Sequence, residues 1–159
     1  METSSSSNKH FSQDALTTLL ASEGKVVSGI VCYFWVNRIN PNDSVELIDN
    51  FELKFTDGSH LVISCHEENE GIAVLNDFSM AAEQAELEKN FGNKIRIIPV
   101  DASKTQMWTD IPGKVLESVD LTRDGEQYLN DSVLLNFGDE KRIIQLSPTD
   151  GLIIDYYEE

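Results

Sequence analysis

"GKVVSGIV", Gly24 to Val31, comes back late in the chain as "GKVLESVD", Gly113 to Asp120. Each copy opens with the same three residues. Apolar side chains follow in step: Val26 with Val115, Val27 with Leu116, Ile30 with Val119. Other matches follow in the same order. "NDSVEL" (Asn42–Leu47) answers "NDSVLL" (Asn130–Leu135), and "FELKFTDGSHLVIS" (Phe51–Ser64) answers "SVLLNFGDEKRIIQL" (Ser132–Leu146). Last, "EGIAVL" (Glu70–Leu75) answers "DGLIID" (Asp150–Asp155). Ordered matches at similar spacing predict an internal duplication, about 24–75 and 113–156. The first copy carries an insert before Phe51.

Within each copy the pattern reads as strands. In "GIVCYFWVN", Ile30, Cys32 and Phe34 alternate with Val31, Tyr33 and Trp35, and both sides are apolar. "FELKF" points Phe51, Leu53 and Phe55 one way and Glu52 and Lys54 the other, as a half-buried antiparallel strand does. Asp57-Gly58 signals a two-residue hairpin. "HLVISC" is the return strand and "IAVL" the next. The second copy repeats this as Val115–Leu121, Val133–Phe137, Arg142–Leu146 and Leu152–Tyr156, with Gly138-Asp139 at its hairpin.

A short helix opens the ordered part. Ser12 caps it, Phe11 staples onto Leu16, Leu16, Leu19 and Leu20 form its apolar face, and Gly24 ends it. Between the copies, residues 77–101 form a helix and then a strand. Asp77 or Ser79 caps this helix, Met80, Leu87 and Phe91 share a face, and Gly92 stops it. The strand over Lys94–Val100 is broken at Pro99. The reading is an α+β domain, predominantly an antiparallel β meander built from two similar modules with two short helices. The meander forms a curved sheet, a sandwich or a partly closed barrel. Residues 1–10 are expected to be a disordered tail and 11–159 a single domain.

Composition narrows function. Twelve Lys and Arg stand against 28 Asp and Glu, a net charge of −16. Such a chain repels nucleic-acid phosphate and anionic lipid, so neither nucleic acid nor membrane is an expected partner. A basic protein partner would be drawn in faster. No run of about 18 apolar residues is present, and the N-terminus lacks a signal-like apolar region. These point to the cytoplasm, with Cys32 and Cys65 as reduced thiols.

No motif carries a reaction. "HLVISCHEENEG" (His60–Gly71) gathers Cys65, His66, Glu67, Glu68 and Glu70, but its counterpart "LSPTDG" keeps one carboxylate and the Gly. The fold therefore does not need that cluster, which reads as a connection open to a contact role. "DLTRDGEQYLND" (Asp120–Asp131) has EF-hand-like spacing but is flanked by strands and ends in Asp, so it reads as a polar loop turning at Asp124-Gly125. No catalytic residue, metal or cofactor is expected. The candidate partner-binding residues are Tyr33, Trp35, Glu67, Glu68, Glu70, Trp108 and Asp110, aromatics among acids. A homodimer through the Tyr33/Trp35 strand, and a β domain that binds a small molecule or is an enzyme without a recognisable motif, are the other readings.

Trp108 followed by Gly113-Lys114-Val115 and Val119, then an alternating strand, a DG-type hairpin and a return strand, resembles small bacterial immunity-type proteins of polymorphic and contact-dependent toxin systems. Leu19 stands at the Trp position in the first copy. The resemblance implies a cytoplasmic, non-catalytic binder, acidic because many such toxins are basic nucleases.

Overall fold

A computed structural model describes residues 9–37, 45–65, 71–75, 80–92, 94–147 and 151–157. Of residues 37, 45–47, 49, 80, 81, 83, 87 and 91 it describes the backbone alone. The expectations placed on Asn42–Ser44, His66–Glu70, Asp77 and Ser79, and on the Met80, Leu87 and Phe91 side chains, lie outside the described residues.

Two four-stranded antiparallel meanders make up the molecule. The first is β1 (Val27–Asn37), β2 (Val45–Phe55), β3 (His60–Cys65) and β4 (Ile72–Leu75). The second is β6 (Ser118–Asp120), β9 (Ser132–Asn136), β10 (Lys141–Ser147) and β11 (Gly151–Tyr156). Helix α1 (Gln13–Ala21) precedes the first. Helix α2 (Met80–Phe91) and strand β5 (Ile95–Asp101) join the two, and a small hairpin, β7 (Arg123–Asp124) with β8 (Gln127–Tyr128), sits inside the second. Apart from the β7–β8 hairpin, the strands form one curved, mostly antiparallel sheet that does not close into a barrel.

The modules repeat strand order and register. Aligning Phe55 with Phe137 puts the pairs Leu53↔Leu61 and Phe51↔Ile63 on Leu135↔Arg142 and Val133↔Ile144. Cys65↔Ile72 and Ile63↔Val74 fall on Leu146↔Leu152 and Ile144↔Ile154. Ile30↔Leu53 falls on Val119↔Leu135. Register follows which face is buried, because a one-residue slip would turn every side chain over. The shared inward residues thus fix the same pairing twice.

The two Gly-Lys-Val segments meet across a local two-fold axis. Val26 bridges Val115. Val27 N–H donates to Lys114 O at 2.9 Å, and Leu116 N–H donates to Lys25 O at 2.9 Å. Gly24 N–H reaches Leu116 O at 2.7 Å, and Gly113 N–H reaches Val27 O at 2.8 Å. Exchanging the copies maps this set onto itself. Gly24 and Gly113 take φ +88° and +97°, a region that only glycine enters freely. A second exchange joins the far ends. β11 runs parallel to β2 at Ile48, and Ile72 N–H donates to Asn130 O at 2.8 Å.

Inward side chains of both modules fill one core, with Ile30, Phe51, Leu53, Leu61, Ile63, Leu135 and Ile144 among its buried members. Leu19 of α1 and Trp108 of the turn after β5 occupy matched places, each almost fully buried. Helix α1 starts as expected, with Ala15 N–H donating to Ser12 Oγ at 3.1 Å.

Several expectations need correction. Leu20 does not join the apolar face of α1; it is 60% exposed. Lys9 and His10 are not part of a tail. Asn130 N–H donates to Lys9 O at 3.0 Å, and His10 bridges Leu129. The Asp57-Gly58 connection is three residues, Thr56 to Gly58, closed by Phe55 N–H donating to Ser59 O at 3.0 Å. The Asp57 carboxylate accepts from Ser59, which holds its pKa below the usual range. In the second copy regular pairing of the first strand covers only Ser118–Asp120, because Val115 is committed to the axis. Finally, β5 runs through Pro99. Ile97 N–H points away from β1 and donates to Gln84 Oε1 at 2.8 Å, so Pro99, two residues on, lies on the same outward side and needs no N–H.

Candidate binding surface

Each meander has an inner face on the core and an outer face turned away from it. The outer face of the first module is covered. Tyr33, Asn50, Glu52, Val62, Ser64 and Ala73 are all buried there. The segment that leaves β4 and returns as β5 carries α2 from one edge of this sheet to the other. Twelve helical residues span about 18 Å, close to the width of five strands at about 4.8 Å. The inner face is already occupied by the core, and α2 meets the sheet at β5, where Gln84 Oε1 accepts from Ile97 N–H.

Within the buried outer face sits a carboxylate. Glu52 Oε1 accepts from Tyr33 Oη at 2.7 Å, and Glu52 Oε2 lies 2.5 Å from His60 Nδ1. Burial first, and the Glu52 hydrogen bond and charge next, push the Tyr33 hydroxyl well above its ordinary pKa. This is a satisfied polar group in a packed layer, as a buried carboxylate must be. It also removes Tyr33 from any contact surface. Its strand, β1, lies between β2 and β5 and offers no free edge to a second copy. Trp35 is half-buried opposite Leu47 and Ile97.

Trp108 is likewise a core residue, 2% exposed. Its ring lies 5.2 Å from that of Phe51 and 6.4 Å from that of Phe137. The Arg142 guanidinium stacks 5.9 Å from Trp108 and 4.5 Å from Tyr156. Arg142 Nε and Nη2 donate to Met107 O at 3.0 and 2.8 Å, and Nη2 meets Glu140 Oε1 at 2.9 Å. Trp108 is thus the plug of the second module, pinned by a buried arginine. Asp110, two residues on, is exposed. Glu67, Glu68 and Glu70 lie outside the described residues. Of the aromatics expected in the patch, Tyr33 and Trp108 are drawn into packing.

The reactive lookalikes also resolve. Gly125-Glu126 turns the β7–β8 hairpin, one place on from the Asp124-Gly125 expected, with Gly125 at φ +65°. Asp124 Oδ2 accepts from His10 Nε2 at 2.8 Å. Among the described residues no three His, Cys, Asp or Glu side chains cluster as metal ligands, and no helix is long and apolar enough to cross a membrane.

The outer face of the second module is where the copies part. Strand pairing aligns Asp120, Leu134, Ile143 and Asp155 in one row across β6, β9, β10 and β11. The matched row of the first module is Val31, Glu52, Val62 and Leu75. There Glu52 and Val62 are buried. Here Leu134 and Ile143 are only half-buried and both acids are exposed. Ile153, opposite Gln145 in the next row, is 42% exposed. The sequence did carry a signal for this face. Leu134-Leu135, Ile143-Ile144 and Ile153-Ile154 are apolar on both sides of their strands, and among the described residues no helix follows β5.

Two grooves flank the core, again at matched places. One of about 340 Å³ lies against Leu16, Leu19 and Leu121, and one of about 230 Å³ against Thr105, Trp108 and Cys32. Both are lined mainly by apolar side chains. No protein-family model, curated protein or solved structure matches this chain.

Proposed function

We propose that the protein is a non-enzymatic binding protein that takes a basic protein partner, in the manner of an immunity-type inhibitor of a basic toxin. The observation that carries this reading is the charge: 28 acids against 12 bases on a fold whose described residues gather no metal-ligand cluster. A surface so one-sided speeds encounter with a positive partner and disfavours like-charged ones. The test is co-purification and titration with the product of a basic reading frame neighbouring this one. Affinity should fall at least tenfold between about 50 and 200 mM salt, as screening shortens the reach of the charges. An interaction indifferent to salt, or none with any basic neighbour, would count against the proposal.

The paired grooves favour a second reading, a β domain that takes a small apolar ligand; the larger groove reaches the low end of ligand-site volumes. Titration with the fluorophore anilinonaphthalene sulfonate should then brighten the dye, and Leu20→Glu should reduce the signal. No enhancement would remove this reading.

A further inference from the structure

We infer that the outer face of the second module is a docking surface for an amphipathic helix of the basic partner, lying over Leu134, Ile143 and Ile153 between the carboxylates of Asp120 and Asp155. The inference rests on the proposed basic partner and names where and how it binds.

Three observations converge on a helix as the occupant. The first is the internal comparison. The equivalent face of the first module is buried, and the chain joins the edges of that sheet, β4 and β5, through α2, so a helix suits this sheet geometry. The second is the row itself. Asp120 and Asp155 stand on the outer strands of four, about 14 Å apart at ordinary strand spacing. An α-helix with its side chains is about 10–12 Å across. A helix laid between the two carboxylates would seat its apolar stripe on Leu134 and Ile143 and bring Lys or Arg on either flank to the acids. The third is charge. A second copy of this chain would bring its own −16 and the same two carboxylates, so self-association through this face is opposed where a basic helix is attracted. The matched acid positions in the first module are Val31 and Leu75, so the flanking carboxylates belong to the open face alone.

The test uses the full chain and a synthetic 18-residue Leu/Lys peptide with its leucines on one helical face. A scrambled peptide of the same composition serves as the control. Amide shifts in the ¹⁵N spectrum should concentrate on β6, β9, β10 and β11. Ile153→Ser, at an exposed position, should weaken binding about tenfold, and Asp120→Asn with Asp155→Asn several-fold. Glu86→Gln with Glu88→Gln on α2, which removes the same charge elsewhere, should change it less than twofold. If the scrambled peptide binds equally well, or the shifts fall on the grooves or the first module, this assignment is overturned while the acid-directed partnership stands. If neither peptide binds at about 50 mM salt, the proposed function itself fails. If the chain dimerises and Ile153→Ser abolishes the dimer, a second copy is the occupant and the helix is ruled out.

Discussion

Cys32 faces the core from β1, and burial pushes its thiol up to about 11, against about 8.5 in an unfolded chain. The unfolded state releases this proton first, so the thiol's contribution is intact below about pH 8.5 and is lost as pH climbs towards 11. Over that window the protein should lose about 3 kcal/mol that Cys32→Val does not lose. Urea melts of both proteins at pH 8 and pH 11 measure the difference, and parallel losses would contradict it. Tyr33 behaves in the same sense at higher pH. Tyr33→Phe takes a donor from the buried Glu52 carboxylate, leaving the His60 contact. It should cost about 1–3 kcal/mol at neutral pH by the same melts. These two residues show where sequence reading stops. Alternation put Cys32 and Tyr33 on opposite sides of β1, correctly. Which side would be sealed depended on what crossed over it, and no local pattern encodes that.

Strand β5 shows how an element can be read almost correctly and for a partly wrong reason. The sequence places a strand there and expects Pro99 to break it. The strand continues, because the positions facing away from β1 need no ladder partner. On that outward edge Pro99 has no N–H and the Ile97 N–H is taken by Gln84 Oε1. An edge with its donors missing or capped resists addition of another strand. Pro99→Val together with Gln84→Ala restores two outward donors, so the double variant should self-associate at concentrations where the parent is monomeric, as light scattering would register. A monomeric double variant would mean that α2 alone shields the edge. The hairpins, the α1 cap and the end of α2 at Gly92 were legible because Gly, Asp and Ser act within a turn. The three-residue length of the first hairpin was not, since the Asp-Gly pair fits more than one loop.

At the scale of the molecule, two modules share one core around an axis through Val26 and Val115, and their likeness was legible because the inward residues repeat. Their difference was not: the second module was read as a copy of the first, whereas the outer face of the first is buried and that of the second is half-open. The axis also brings two acidic halves together. The described ion pairs include Lys25–Asp57 at 3.4 Å, Lys114–Asp139 at 3.0 Å and Arg142–Glu140 at 2.9 Å, few beside an excess of 16 negative charges. Exposed pairs such as Lys114–Asp139 are each worth about 0–1 kcal/mol. Uncompensated acids repel one another over the whole surface, and the compact state suffers more from this than the unfolded chain. Potassium chloride should therefore stabilise the fold. Raising it from about 10 to 150 mM shortens the screening length from about 30 to 8 Å, which weakens distant repulsion far more than contacts at 3 Å. The melting temperature should rise by about 3–6 °C, the shift that about 1–2 kcal/mol produces in a chain of this size. Calorimetry at the two salt concentrations decides it. A fall would mean that the ion pairs outweigh the repulsion, and would remove the electrostatic ground on which the basic partner is proposed.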